Sequence, residues 1–209
     1  MLTVHHLNNS RSQRVLWLLE ELELPYEVVR YERDRKTMLA PASLKAVHPL
    51  GKSPVLQDGG FVLAETGAIV EYVTAQHGGG RLKPEVGSPE WARWLHFMHY
   101  AEGSAMPPLL LKLVLGKMGI LGKPAMGFVN RQIDAHLGYL EGVLLDRDWF
   151  AGDRFTSADV MMSFPLEAAA KRAGLTAETR PRLWDFVQRI HARPAYQRAL
   201  ERGGPYAYA

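Results

Sequence analysis

The sequence predicts an α/β domain followed by an all-α domain, and three observations carry that prediction. Strand patterns occur only in the first 64 residues, where they alternate with helical ones. A break at His77-Gly-Gly-Gly-Arg-Leu-Lys-Pro84, with three consecutive glycines and a proline, interrupts the pattern. Beyond that break only helical periodicity stands out. The expected division is an α/β domain at residues 1–76, a linker at 77–86 and a helical domain at 87–209.

Leu2–Leu7 is β-branched and apolar, which predicts a strand. From Ser10 to Leu22 the apolar residues Val15, Leu18, Leu19 and Leu22 share one helical face, with Arg11, Arg14 and Glu21 elsewhere. Pro25 ends the turn, Tyr26–Tyr31 predicts a second strand, and Ala42–Val47 a short helix before Pro49. Val55-Leu56 and Phe61-Val62-Leu63 flank Asp58-Gly59-Gly60, a strong short-range hairpin signal. Glu65-Thr66 then opens a helix reaching Gln76 through Ile69, Val70 and Val73. The order β-α-β-α-β-β-α gives a small mixed sheet, because the first crossover must be right-handed and the hairpin adds antiparallel strands. That order resembles the thioredoxin-like layout.

In the second half, Ser88-Pro-Glu-Trp supplies a Ser N-cap and a Pro at the first helical position, leading into Trp91, Trp94, Leu95 and Met98. Met126–Leu145 repeats Ile133, Leu137, Leu140 and Leu144. Phe155-Thr-Ser-Ala-Asp-Val160 reads as a capping box closed by Thr156 and Asp159, with Phe155 and Val160 as a hydrophobic staple, so Asp159 is assigned to folding. Arg180–His191 and Pro194–Glu201 complete the helices.

Composition narrows the function. The 25 basic and 22 acidic residues are spread along 209 positions without a long basic run, which argues against nucleic acid as a partner. No cysteine is present, so there is no disulfide framework, and any thiol chemistry uses a thiol from outside the chain. The N-terminus lacks signal-peptide features, and the apolar stretch Met106–Val129 is broken by Pro107-Pro108 and three lysines, so a cytoplasmic protein with no membrane partner is expected. His5 and His6 lack companion ligands at metal-binding spacing, and no metal is expected. The helix start at Glu65-Thr66 offers unpaired N–H groups and a positive dipole end, which suit a ligand carboxylate.

Taken in order, the strand with its Ser10-Arg-Ser-Gln-Arg14 helix start, Pro49-Leu-Gly-Lys-Ser-Pro54, Asp58-Gly-Gly, Glu65-Thr66 and Phe155-Thr-Ser-Ala-Asp159 resemble the cytosolic glutathione S-transferases over nearly the whole chain. The resemblance implies the fold of that family, a thioredoxin-like domain plus an all-α bundle. It implies glutathione as co-substrate, a homodimer, and a detoxifying reaction in which the glutathione thiolate attacks a hydrophobic electrophile. By the same resemblance, Glu65 meets the γ-glutamyl ammonium and Thr66 its carboxylate. Pro54 takes the family's cis position, Ser53, where many relatives have Val, pairs through its main chain with the cysteinyl unit, and Lys52 approaches the glycyl carboxylate. Lys36, Lys45 and His48 are further candidates for that carboxylate. Glu102 matches an acidic residue that reaches the ammonium of the partner subunit's ligand in some relatives, and Tyr100 and Met106 are candidates for the electrophile pocket.

Ser10 stands where serine-type members keep the hydroxyl that holds the thiolate. Asn9 is the second candidate there, with Asn8 and Ser12 behind it, and helix capping is the structural alternative for Ser10. Lowering a thiol pKa of about 8.5 by two units requires about 2.7 kcal/mol. One hydrogen bond to a charged group supplies about 1.5–3 kcal/mol, and a helix N-terminus about 0.3–1 kcal/mol. The donor therefore needs no base beside it. Two rival functions stay open: isomerase, dehalogenase or disulfide reductase chemistry with glutathione, the last favoured by Asn9 at the sulfur, and a non-catalytic ligand-binding or interaction module.

Overall fold

The computed structural model describes residues 1–209, which form two compact units: Met1–Lys83 together with His191–Ala209, and Pro84–Ile190. The first unit runs past the expected 1–76 boundary and includes the C-terminal segment 191–209.

In the first unit, β1 (Leu2–Leu7), α1 (Gln13–Glu21), β2 (Tyr26–Tyr31), α2 (Ala42–Val47), β3 (Val55–Asp58), β4 (Phe61–Ala64) and α3 (Thr66–Gln76) follow in the expected order. The sheet runs β2-β1-β3-β4. β1 and β2 are parallel with Leu2 opposite Tyr26, and β3 is antiparallel to both β1 and β4. The hairpin is pinned to α3 at Asp58, whose carboxylate accepts Tyr72 Oη at 3.0 Å and pairs with His77 Nε2 at 2.8 Å. Those bonds, His77 first, hold the Asp58 carboxyl below its ordinary range.

The single apolar face expected for α1 is too modest a description. Every residue from Gln13 to Leu19 is buried, Arg14 included at 1% exposure. The cause is α9 (Pro194–Gly203), which covers the side of α1 that a lone amphipathic helix would leave in water. Trp17 meets Tyr196 edge to face at 5.3 Å, and Arg193 forks onto Glu21 at 2.5 and 2.8 Å. Arg198 Nε donates to Glu20 at 2.8 Å. Gly203 permits the close approach: a Cβ there would lie 2.8 Å from Gln13 Oε1 and 3.0 Å from Leu16 Cδ1.

The second unit is helical: α4 (Pro89–Tyr100), α5 (Met106–Lys117), α6 (Lys123–Val143), α7 (Ser157–Arg172) and α8 (Pro181–His191). Ser88 caps α4 through a bond from Trp91 N–H at 3.1 Å. Between α4 and α5 the backbone widens into a π turn at Ala101–Ala105, where Met106 N–H reaches back to Ala101. Pro107 and Pro108 give the reason: neither has an N–H, and each ring crowds the carbonyl four residues earlier. α7 is buried along Ser157–Ala169 and forms the unit's axis. Phe97, Phe150 and Phe186 pack beside it with centroids 4.9 and 5.0 Å apart.

The capping box forms with Asp159 fully buried. Its carboxylate accepts the N–H groups of Phe150 and Thr156, both at 2.8 Å, and the Thr156 hydroxyl at 3.0 Å. Burial outweighs these bonds and pushes its carboxyl up to about 6.

Candidate active site

The β1–α1 junction brings several buried polar side chains of the first unit together. Asn9 adopts a left-handed conformation at φ 50°, which Asn tolerates better than most residues. The turn it makes sends Ser10 inward, to 5% exposure, while Asn9 stays half-buried.

Ser10 Oγ lies 2.7 Å from Ser12 Oγ and accepts Ser12 N–H at 3.2 Å, and Ser12 Oγ lies 2.9 Å from His6 Nδ1. His6 is buried, and its ring also bonds the Gly203 backbone. Burial, followed by the charge of Arg30, holds its pKa down to about 4, so the ring is neutral near pH 7. A neutral imidazole donates from one nitrogen and accepts at the other. Ser10, Ser12 and His6 thus form one buried hydrogen-bonded chain running inward from the junction, with Ser12 Oγ also 3.3 Å from Leu7 O. This inward chain was not visible in the sequence, where His6 was one of two alternating strand histidines and Ser12 a lesser candidate.

The two asparagines are oriented from different sides. Asn8 Oδ1 accepts Arg33 N–H at 3.0 Å, and Asn9 Oδ1 accepts Ala207 N–H at 2.7 Å. Oxygens so occupied leave each amide NH2 as the outward donor.

The loop before β3 holds Lys52 exposed, Ser53 half-buried and Pro54 buried, with a cis bond between Ser53 and Pro54. It is shaped by Gly51 at φ 57°, where a Cβ would strike the Lys45 side chain at 2.6 Å. Ser53 Oγ donates to His5 O at 2.8 Å and accepts Leu7 N–H at 3.1 Å. Its hydroxyl is thus committed to β1, and what Ser53 has to give a ligand is main chain. At the start of α3, Glu65 is exposed at φ 70° and Thr66 is buried.

Glu102, Tyr100 and Met106 belong to the second unit. Glu102 is half-buried in the π turn, and Met106 is buried at its end. Tyr100 Oη lies 2.6 Å from His136 Nδ1, in an aromatic group with His96 and Tyr139. Burial first, then Tyr139, pushes the Tyr100 phenol up to about 12. A narrow apolar cavity within this unit is lined by Ala105, Leu109, Ile133, His136, Leu140 and Leu166, among others. Tyr100 touches that lining through His136, and Met106 is not part of it.

The model of the glutathione S-transferase N-terminal domain matches residues 1–75, and that of the C-terminal domain residues 122–194. Glutathione S-transferase 3 of Schizosaccharomyces pombe is 32% identical across 97% of this chain and 88% of its own. A glutathione S-transferase structure from Actinobacillus pleuropneumoniae superposes with a TM-score of 0.90 at 32% identity, covering 100% of this chain and 95% of that one. A sphingomonad glutathione S-transferase complexed with glutathione superposes with a TM-score of 0.80 at 25% identity, covering 97% and 98%. With its sheet order, its helical second unit and relatives that align from end to end, the chain belongs to the glutathione S-transferase family.

Proposed function

We infer that the protein is a glutathione transferase in which the thiolate of glutathione attacks a hydrophobic electrophile, and that Asn9 is the group that donates to the sulfur. The transferase reading rests on relatives named glutathione S-transferases that align over nearly the whole chain, and these outweigh the disulfide reductase chemistry that Asn9 at the sulfur favours. The choice of Asn9 rests on one observation: Ser10 is buried with its hydroxyl engaged by both the Ser12 hydroxyl and the Ser12 N–H, whereas Asn9 is half-buried with its amide NH2 uncommitted to Ala207. A single amide donor to a thiolate contributes about 1.5–3 kcal/mol, enough with the helix end to bring a thiol of pKa about 8.5 to near neutrality. Positioning of the two reactants supplies the larger part of the acceleration.

In this reading Glu65 and Thr66 hold the γ-glutamyl end, the charge of one and the hydroxyl and N–H of the other matching its ammonium and carboxylate. The Ser53 main chain pairs with the cysteinyl unit beside the cis bond, and Lys52 meets the glycyl carboxylate. Tyr100 and Met106 face the electrophile, and Glu102 reaches the ligand of a partner copy in a cytoplasmic homodimer that serves detoxification.

The test is chloronitrobenzene conjugation and glutathione affinity for the wild type, Asn9→Ala and Ser10→Ala. Asn9→Ala is expected to lose turnover by roughly ten-fold or more while still binding glutathione. Ser10→Ala should keep most of its turnover and lose mainly stability. The reverse outcome returns the donor role to Ser10. Binding without conjugation in the wild type would move the chemistry to small disulfide substrates.

A further inference from the structure

We propose that the C-terminal tail after α9 is a positioning element for the sulfur site, acting through the Ala207 main-chain N–H on the Asn9 amide. The proposal rests on the reading of Asn9 as the thiolate donor. An asparagine side chain presents an acceptor at one end and two donors at the other, and a half-turn of the amide exchanges them. Nothing within Asn9 itself decides which end faces a ligand. The Ala207 N–H, 2.7 Å from Oδ1, decides it. A flipped amide would set its NH2 against that N–H, donor against donor, and would turn the carbonyl oxygen toward an anionic sulfur.

The tail is held where it can do this. Gly204 leaves α9 at φ 85°, a conformation that favours glycine, and Pro205 prevents the helix from resuming. Arg30 Nε donates to Arg202 O at 2.9 Å, and Arg202 donates back to Tyr26 O at 2.7 Å with its guanidinium 4.1 Å over the Tyr26 ring. Beyond this clamp on β2, the rings of Tyr206 and Tyr208 pack 5.4 Å apart on either side of Ala207 in sequence. One residue before the turn, Gly203 packs against the His6 ring, whose Nδ1 holds Ser12 beside Ser10. One segment thus backs the serine cluster at Gly203 and, four residues on, turns the Asn9 donor out at Ala207. The neighbouring Asn8 has no part in this, since Arg33 on the β2 side orients its amide.

The contact is main chain, so the test removes the N–H itself. Ala207→Pro and a deletion of Pro205–Ala209 are compared with the wild type in the ultraviolet titration of bound glutathione thiolate, in kcat and KM, and again in an Asn9→Ala background. Both changes are expected to raise the apparent pKa of the bound thiol by about one unit, with a loss in kcat of roughly three- to five-fold at neutral pH. KM for glutathione and the melting temperature should stay close to wild type. In the Asn9→Ala background neither change should have any further effect on the thiol. Wild-type thiol pKa and kcat in both variants, beside a damaged Asn9→Ala, would overturn the tail's role and leave Asn9 as donor. An equal loss with and without Asn9 would overturn it too, by showing that the tail acts elsewhere. An Asn9→Ala protein with unaltered thiol pKa and turnover would remove the donor reading, and the tail's role with it.

Discussion

Both units bury titratable groups, and His6 in the first and Asp159 in the second are driven by burial in opposite directions. His6 loses its charge to burial and works as a neutral donor and acceptor between Gly203 and Ser12. Asp159 gathers two backbone N–H groups and a hydroxyl, yet its carboxyl is still pushed up to about 6. The same desolvation therefore suppresses a proton in one unit and retains one in the other. The two groups also do different work. Asp159 closes a helix start near its own position in sequence, whereas His6 joins segments about as far apart as the chain allows.

The largest expected effect tests the second unit. Asp159→Ala leaves the Phe150 and Thr156 N–H groups buried without their acceptor, and stability should fall by about 3–4 kcal/mol in urea melts. A loss below about 1 kcal/mol would mean that relief from burying the carboxyl offsets the broken cap.

Acid tests both units together. The unfolded chain protonates His6 near pH 6.5 and the folded chain only near 4, so between these values the unfolded state binds the extra proton. The stabilisation linked to His6 is complete above pH 6.5 and is lost as pH falls toward 4, at about 1.4 kcal/mol per unit inside that window. For Asp159 the folded state binds the proton first, between about 6 and the ordinary 3.8, so acid relieves its burial cost over that range. Amide exchange resolved along the sequence at pH 7 and pH 5 should show β1 and α1 opening more readily in acid while α7 does not. Parallel loosening of both would dissolve the contrast.

The smallest expected effect concerns the contact that joins the ends of the first unit. Gly203→Ala forces a methyl against Gln13 Oε1 and Leu16 Cδ1 and should cost about 1–3 kcal/mol. Thermal melts read it, and a shift confined to the β1, α1 and α9 amides in exchange would locate it.

Much of this was legible in the sequence, for physical reasons that can be named. The spans of β1, β2, α2 and α3 follow from apolar period and from Pro and Gly punctuation, both local signals. The Ser88 cap and the Thr156–Asp159 box are likewise local. Burial of Arg14 was not legible, because a polar residue on the far face of an amphipathic helix reads as solvated until another element covers it. The candidate sulfur donors were legible as a group, Ser10 and Asn9 among them, because the strand–helix junction names them. The orientation of Asn9 was not: its amide oxygen is held by Ala207, nearly two hundred residues away in the sequence.

That the first unit is discontinuous bears on how the protein is made. Residues 191–209 emerge from the ribosome after the 107 residues from Pro84 to Ile190. At about 5–20 residues per second, β1 and α1 wait roughly 5–20 s with the side of α1 that carries Trp17 uncovered. Through that interval the sheet can pair, but Asn9 has no Ala207 N–H to hold its amide oxygen. Until α9 arrives, the nascent first unit therefore exposes a helix face that the folded protein buries.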